Sequence, residues 1–196
     1  SGLVGILTPF PLTNRHKPGI IVDFISYDQR FSLSPVGYMD VYVKGGKVWN
    51  KAPYPLLFTP PTNLSYICGS EAFAMMSSME FIYDQYAMID IEHYMEGWIL
   101  AKIPFVNKLK LREFWKFKIM ASSLSDRNNP LRNSGDEMLF ALPKNSHVMT
   151  EPYMEASFGV YNILKLLQVE FVRRINYLNH PYADKWGFRF GLRVGF

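Results

Sequence analysis

The sequence predicts an all-β protein: an antiparallel transmembrane β-barrel of about eight strands. Three observations predict it. Residues 186–196 alternate strictly, with Trp186, Phe188, Phe190, Leu192, Val194 and Phe196 set against Gly187, Arg189, Gly191, Arg193 and Gly195. Strands of small soluble sheets average about 5 to 6 residues and membrane-crossing strands about 9 to 11, so a run of this length fits a span. Aromatic side chains form 16 % of the 196 residues and gather at the ends of strand-like runs. Tyr27 and Phe31, Tyr38 and Trp49, Tyr83 and Tyr86, Tyr94 and Trp98, and Tyr177 and Trp186 are such pairs, suited to a lipid headgroup boundary. Finally, no uncharged apolar run approaches the ~20 residues of a helical span, and the mean hydropathy of −0.04 matches faces that alternate.

The elements are justified in chain order by the same period of two. Residues 20–31 form a mixed run and the weakest strand, and in segment 37–49 Met39, Val41 and Val43 oppose Asp40 and Lys44. Pro53, Pro55, Pro60 and Pro61 exclude regular ladder positions over most of 52–62, which makes that stretch a connection or an edge. Phe73, Met75, Met79, Phe81 and Tyr83 share a face and predict a further strand. Ala87, Ile89 and Ile91 alternate with Asp90 and Glu92 in a run ending near Leu100. Residues 103–114 suit a short amphipathic turn or a strand extension. Trp115, Phe117, Ile119 and Ala121 alternate with Lys116, Lys118 and Ser122, and the polar stretch 123–150 is the longest loop. Met154, Ala156, Phe158 and Val160 oppose Tyr153, Glu155, Ser157 and Gly159. Leu167, Val169, Phe171, Ile175 and Tyr177 share a face that Arg173 interrupts. With residue 196 on the periplasmic side, counting strands backwards puts 178–185 and 123–151 outside the cell. The same count puts 50–71 and 101–113 on the periplasmic side, against the rule that periplasmic turns are short.

Charge and cysteine usage narrow the function classes. Charged residues are 19 % of the chain, below the roughly 25 % of soluble domains, and the 48 % apolar content excludes disorder. The net charge of +4 is scattered except at Lys108, Lys110, Arg112, Lys116 and Lys118, a cluster that suits phosphate of lipid or nucleic acid or, more simply, a solvated strand face. No nucleic-acid partner is expected. Cys68 stands alone and no Cys/His cluster has zinc spacing, so neither a disulfide, a metal nor a cofactor is expected. The stretch opens on Ser1 without a leader sequence, so any export signal is expected outside it.

Catalytic parts are few. The possible parts are Ser146 beside His147, His93 beside Glu92 and Glu96, and His180. Adjacent Ser and His rarely activate one another, and Glu92 and Glu96 fit hydrated charges paired across a lumen with Lys116, Arg189 or Arg193. No catalytic residue is assigned. Asp126, Arg127, Asn128 and Asn129 form the candidate extracellular contact, with a salt-bridged loop tip as its plainer reading. Asn63, Leu64 and Ser65 match a glycosylation sequon that carries little weight.

Four blocks of the text, KAPYPLL at 51–57, residues 79–114, SLSDRNNP at 123–130 and residues 152–181, resemble the C-terminal barrel of an outer-membrane family common in Bacteroidetes. Its members carry a carboxypeptidase-regulatory-like domain ahead of a BamA/TamA-like barrel. The resemblance covers most of 37–196 and is loose over 1–36. It implies that residues 1–196 are the C-terminal part of a larger outer-membrane barrel, with the non-catalytic periplasmic domain outside this sequence. It also implies that Phe188, Phe190, Leu192, Val194 and Phe196 form the C-terminal targeting signature. The expected function is non-enzymatic, in envelope protein assembly, export or a surface complex. The expected partners are outer-membrane lipid, the assembly machinery through the C-terminal strand, and other envelope proteins. The alternatives are a self-contained eight-stranded barrel with lipid-modifying or proteolytic activity, and a soluble lipocalin-like binder.

Overall fold

The alternating runs become strands in the computed structural model, which describes residues 20–62, 65–67, 72–133, 135–136, 139–180 and 183–192. They are β1 (Val22–Ser32), β2 (Tyr38–Val48), β3 (Gln85–Tyr94), β4 (Arg112–Ser123), β5 (Tyr153–Ile163), β6 (Leu167–Arg174) and β7 (Trp186–Leu192). All seven belong to one antiparallel sheet in sequential order, so the protein is all-β. The sheet is open, with β1 and β7 as its edges. Helical structure among the described residues is limited to short 3₁₀ turns, and no helix is long and apolar enough to cross a membrane.

The eighth strand expected at 73–83 is not there. Residues 72–84 instead fold back over one face of the sheet, and their isolated bridges run to other loops, Phe73 to Thr62, Phe81 to His147 and Tyr83 to Phe58. Their apolar residues are buried for a different reason than strand pairing: Phe73, Met75, Phe81 and Tyr83 fill the space above the sheet, while Met79 lies exposed with φ 57°. Residues 103–114 also differ from a single amphipathic turn. Two 3₁₀ turns, Leu100–Lys102 and Val106–Leu109, leave Ile103 and Leu109 exposed before β4 begins at Arg112.

Losing one strand reverses the side of everything before it. The 49–84 connection lies at the same end of the sheet as 124–152, not at the opposite end. Val48 N–H donates to the Asp84 carbonyl at 2.7 Å, Asp84 N–H to the Ser123 carbonyl at 3.1 Å, and Ala52 N–H to Asn128 Oδ1 at 2.8 Å. The connections 49–84, 124–152 and 175–185 therefore share one end. Residues 33–37, 95–111 and 164–166 share the other.

Parity then sorts the side chains. One face carries Ile25, Tyr27, Val41, Val43, Ile89, Ile91, Phe117, Ile119, Phe158, Val169, Phe171, Phe188, Phe190 and Leu192, and it is largely open, with Leu192 80 % and Phe158 51 % exposed. The opposite face is covered by the folded-back loops and is layered. At the long-loop end Phe73, Met76, Phe81, Tyr83, Met88, Met120, Met149 and Tyr153 form an apolar cluster. At the other end Tyr94, Phe114 and Tyr161 pack with Tyr38. Between them lies a belt of charge. Two glycines permit close approaches here. A Cβ on Gly159 would lie 2.4 Å from the Phe114 ring, and one on Gly37 (φ 89°) would strike the Tyr94 carbonyl.

The strand-end aromatics divide by the same parity. Trp49, Trp98, Trp186, Tyr27 and Phe31 are exposed, but Tyr83 and Tyr94 are core residues of the covered face rather than members of a boundary girdle.

Candidate functional site

The covered face positions charged side chains that soluble cores exclude. The register aligns Asp90, Lys118, Glu155 and Arg174 in one row across β3 to β6 and Glu92, Lys116 and Ser157 in the next. Lys116 Nζ lies 3.0 Å from Glu92 Oε1 and 3.6 Å from Glu170 Oε2, and Lys118 Nζ lies 3.0 Å from Asp90 Oδ2. Tyr94 donates to Glu92 Oε2 at 2.6 Å. At the open edge Arg30 reaches Asp40 through two bonds of 2.6 and 2.8 Å. Burying one charge of the Lys116 and Lys118 pairs without its partner destabilises by about 3 to 5 kcal/mol, so those residues are mutually obligate, whereas Arg30 is largely exposed. The basic cluster read from the sequence is thereby split: Lys116 and Lys118 are buried in ion pairs, while Arg112, paired with Glu96 at 3.6 Å, and the Lys108–Lys110 turn are exposed.

The remaining charges of the belt hold the folded-back segment, chiefly by its backbone. Glu155 accepts the N–H of Ala74 at 3.0 Å and of Met75 at 2.8 Å, and the Tyr153 hydroxyl at 2.7 Å. Lys118 donates to the Ala72 carbonyl at 3.2 Å, Arg174 to that of Met75 at 3.3 Å, and Arg189 to that of Ala74. Arg174, fully buried, also forks onto Glu80 at 2.5 and 3.0 Å. Burial alone would raise the Glu80 carboxyl, but the Arg174 guanidinium, the Ser77 N–H and His180 together hold it below the usual carboxylate range. Three buried atoms in this belt, Asp90 Oδ1, Glu92 Oε1 and Arg189 Nε, have no hydrogen-bond partner, Glu92 Oε1 being held by the Lys116 charge alone.

The residues singled out in the sequence fall in separate places. His180 Nδ1 lies 2.8 Å from Glu80, and its ring stacks on His147 at 4.4 Å between centroids. Ser146 donates instead to the Met79 carbonyl at 2.7 Å, away from its neighbouring imidazole. His93 is on the open face, between Trp115 Nε1 at 2.9 Å and the Val36 carbonyl at 3.0 Å, so it does not meet Glu92 across the sheet. Glu96 lies beyond β3 in the turn toward Arg112. In the loop contact, Asp126 and Arg127 are exposed and Asn129 half-buried. Asn128 is buried and clamps three segments, donating to the Asn50 carbonyl and to Asp84 Oδ2 while accepting from Ala52. Phe188, Phe190 and Leu192 lie on the exposed apolar face of β7, and Val194 and Phe196 are outside the described residues. Among the described residues no cluster of His, Cys, Asp and Glu is placed to hold a metal ion.

Glu80, Glu155 and Arg174 carry the site and were not singled out. Glu155 stood on the polar side of an alternating run, which was the available signal. For Glu80 there was none, because its segment reads as a strand. No family model, curated protein or solved structure matches the chain.

Proposed function

We propose that the chain is the C-terminal part of a β-barrel embedded in the bacterial outer membrane, acting without catalysis in envelope protein assembly or export or as part of a surface complex. The observation that carries this reading is the inversion of the sheet. Its charges are buried in ion pairs beneath loops while Ile89, Phe158, Phe171, Phe188 and Phe190 face outward. In water that exposed surface is a liability, and in lipid it is the expected exterior of a spanning barrel, whose lumen is polar. Two further features support it. The two longest connections, 49–84 and 124–152, share one end, as on the extracellular side of outer-membrane barrels, while the tight turns 33–37 and 164–166 lie at the other together with 95–111. The β1 edge runs for 11 residues with most of its side chains exposed, which suits pairing with a further strand of a larger barrel. Residues 72–84 then occupy the lumen as a plug. The partners are outer-membrane lipid along the apolar face, the assembly machinery at β7, and other envelope proteins, with no nucleic acid. The reading also takes the carboxypeptidase-regulatory-like family as its frame, on the strength of the resemblance in the sequence.

The test is insertion into lipid vesicles. Phe188→Arg should weaken folding by about 2 to 4 kcal/mol if residue 188 lies near the bilayer midplane, whereas Phe188→Leu should be nearly neutral. Equal folding of both variants in lipid would refute the orientation of the sheet.

A further inference from the structure

The outward face of the sheet changes character toward the end shared by 33–37, 95–111 and 164–166. Ile91 and Phe117 give way to His93 and Trp115, the indole donating to the imidazole at 2.9 Å, and the next residue of β4 on that face is a carboxylate, Glu113. Glu113 is nonetheless fully buried, because the chain beyond β3 lies against it. Its Oε1 accepts the Ile99 N–H at 2.6 Å and its Oε2 that of Leu100 at 3.4 Å. Segment 98–110 is thereby fastened on the outward side of the sheet, and Asn162 Nδ2 fixes its far end by donating to the Lys110 carbonyl at 2.7 Å.

This segment presents apolar and cationic side chains together. Trp98, Ile99, Ile103, Phe105 and Leu109 are exposed, Phe105 to 76 % and at a φ of 78° that L side chains seldom adopt. Between them stand Lys102, Lys108 and Lys110, also exposed, with the Lys102 ammonium 4.1 Å from the centre of the Trp98 ring. The neighbouring turn repeats the composition, since Leu164, Lys165 and Leu166 are all exposed. Four lysines at this end thus stand beside a single exposed carboxylate, Glu96, which is itself paired with Arg112. The main chain is closed by turns, with Ala101, Lys102, Ile103, Asn107 and Lys108 donating to carbonyls within 97–105, so the segment offers side chains and no ladder edge.

We infer that segment 98–110, with the turn 164–166, is an interfacial anchor for anionic phospholipid headgroups. Its apolar side chains meet the acyl boundary, where Trp98 has an amphipathic ring suited to that level, while the ammoniums stay in the hydrated phosphate layer on their own apolar stems. Each lysine near an anionic surface strengthens binding about fivefold. The anchor rests on the barrel reading for its place at the periplasmic leaflet, and adds to it the class of lipid that this end selects.

The test uses the full chain in mixed vesicles of phosphatidylcholine and phosphatidylglycerol, with Cys68→Ser and a bimane fluorophore on Phe105→Cys. A nitroxide near the headgroup end of the acyl chain is carried by one lipid or the other at equal content. Labelled phosphatidylglycerol should quench about twofold or more above labelled phosphatidylcholine. The excess should vanish at ~1 M salt, where the screening length falls to about 3 Å, and in the variant with Lys102, Lys108, Lys110 and Lys165 all replaced by Gln. Equal quenching by the two lipids would overturn the anchor, as would free access of aqueous iodide with no lipid quenching, which would assign the surface to a soluble partner. A bimane on Phe158→Cys with a nitroxide deep in the acyl chain reports the barrel separately. Quenching at 158 without lipid preference at 105 removes the anchor and leaves the barrel; preference at 105 without quenching at 158 removes the barrel and leaves the anchor.

Discussion

At the scale of single residues, Glu80 ties the folded-back segment 72–84 to the sheet. Its carboxylate lies under the Arg174 fork and beside His180, and its titration is held low by those partners. A carboxyl whose pKa is lowered by folding adds stability that is fully present above its unfolded value of about 4.3 and is lost as pH falls through the folded value. Glu80→Gln should therefore destabilise by ~3 kcal/mol at neutral pH, and the gap to the unaltered protein should close in acid. Denaturant midpoints at a series of pH values check this, and a gap that persists unchanged in acid would contradict it. Gly159 makes a different kind of demand. The Phe114 ring and the Val169 carbonyl both lie within 2.6 Å of where a Cβ would stand. Gly159→Ala should cost about 1 to 3 kcal/mol through overpacking, visible as a lower midpoint of the heat-induced gel shift, and the double variant Gly159→Ala, Phe114→Leu should recover part of it.

At the scale of elements, the strands were legible because side-chain parity survives in a sheet with one polar and one apolar face. Lys116 and Lys118 look like a surface cluster when counted by sequence proximity, yet their alternation with Trp115, Phe117 and Ile119 already separates them onto the inner face. Residues 73–83 were illegible for a physical reason. A loop inserted into a core buries apolar side chains as a strand does, and alternation cannot distinguish backbone paired to a neighbour from backbone bonded to Glu155 and Arg174. That one misreading reversed the expected side of 50–71. The structure instead predicts that Thr59→Cys and Leu131→Cys label alike with a membrane-impermeant reagent on intact cells, while Lys108→Cys, at the opposite end, behaves oppositely. Labelling of Thr59→Cys together with Lys108→Cys, and not with Leu131→Cys, would contradict the arrangement of the ends.

At the scale of the whole molecule, the proposed membrane role requires that the apolar face of the sheet meet lipid. An apolar exterior around paired interior charges is the reverse of a soluble sheet, and the loops that cover the charges leave the opposite face bare. Collision accessibility of nitroxide labels in lipid vesicles measures this directly. Labels at Ile89, Ile119, Phe158 and Phe188 should collide with oxygen dissolved in the bilayer and not with a water-soluble nickel complex, and a label at Lys108 should show the reverse. Nickel access to all four outward positions, equal to that at Lys108, would contradict a membrane-facing sheet.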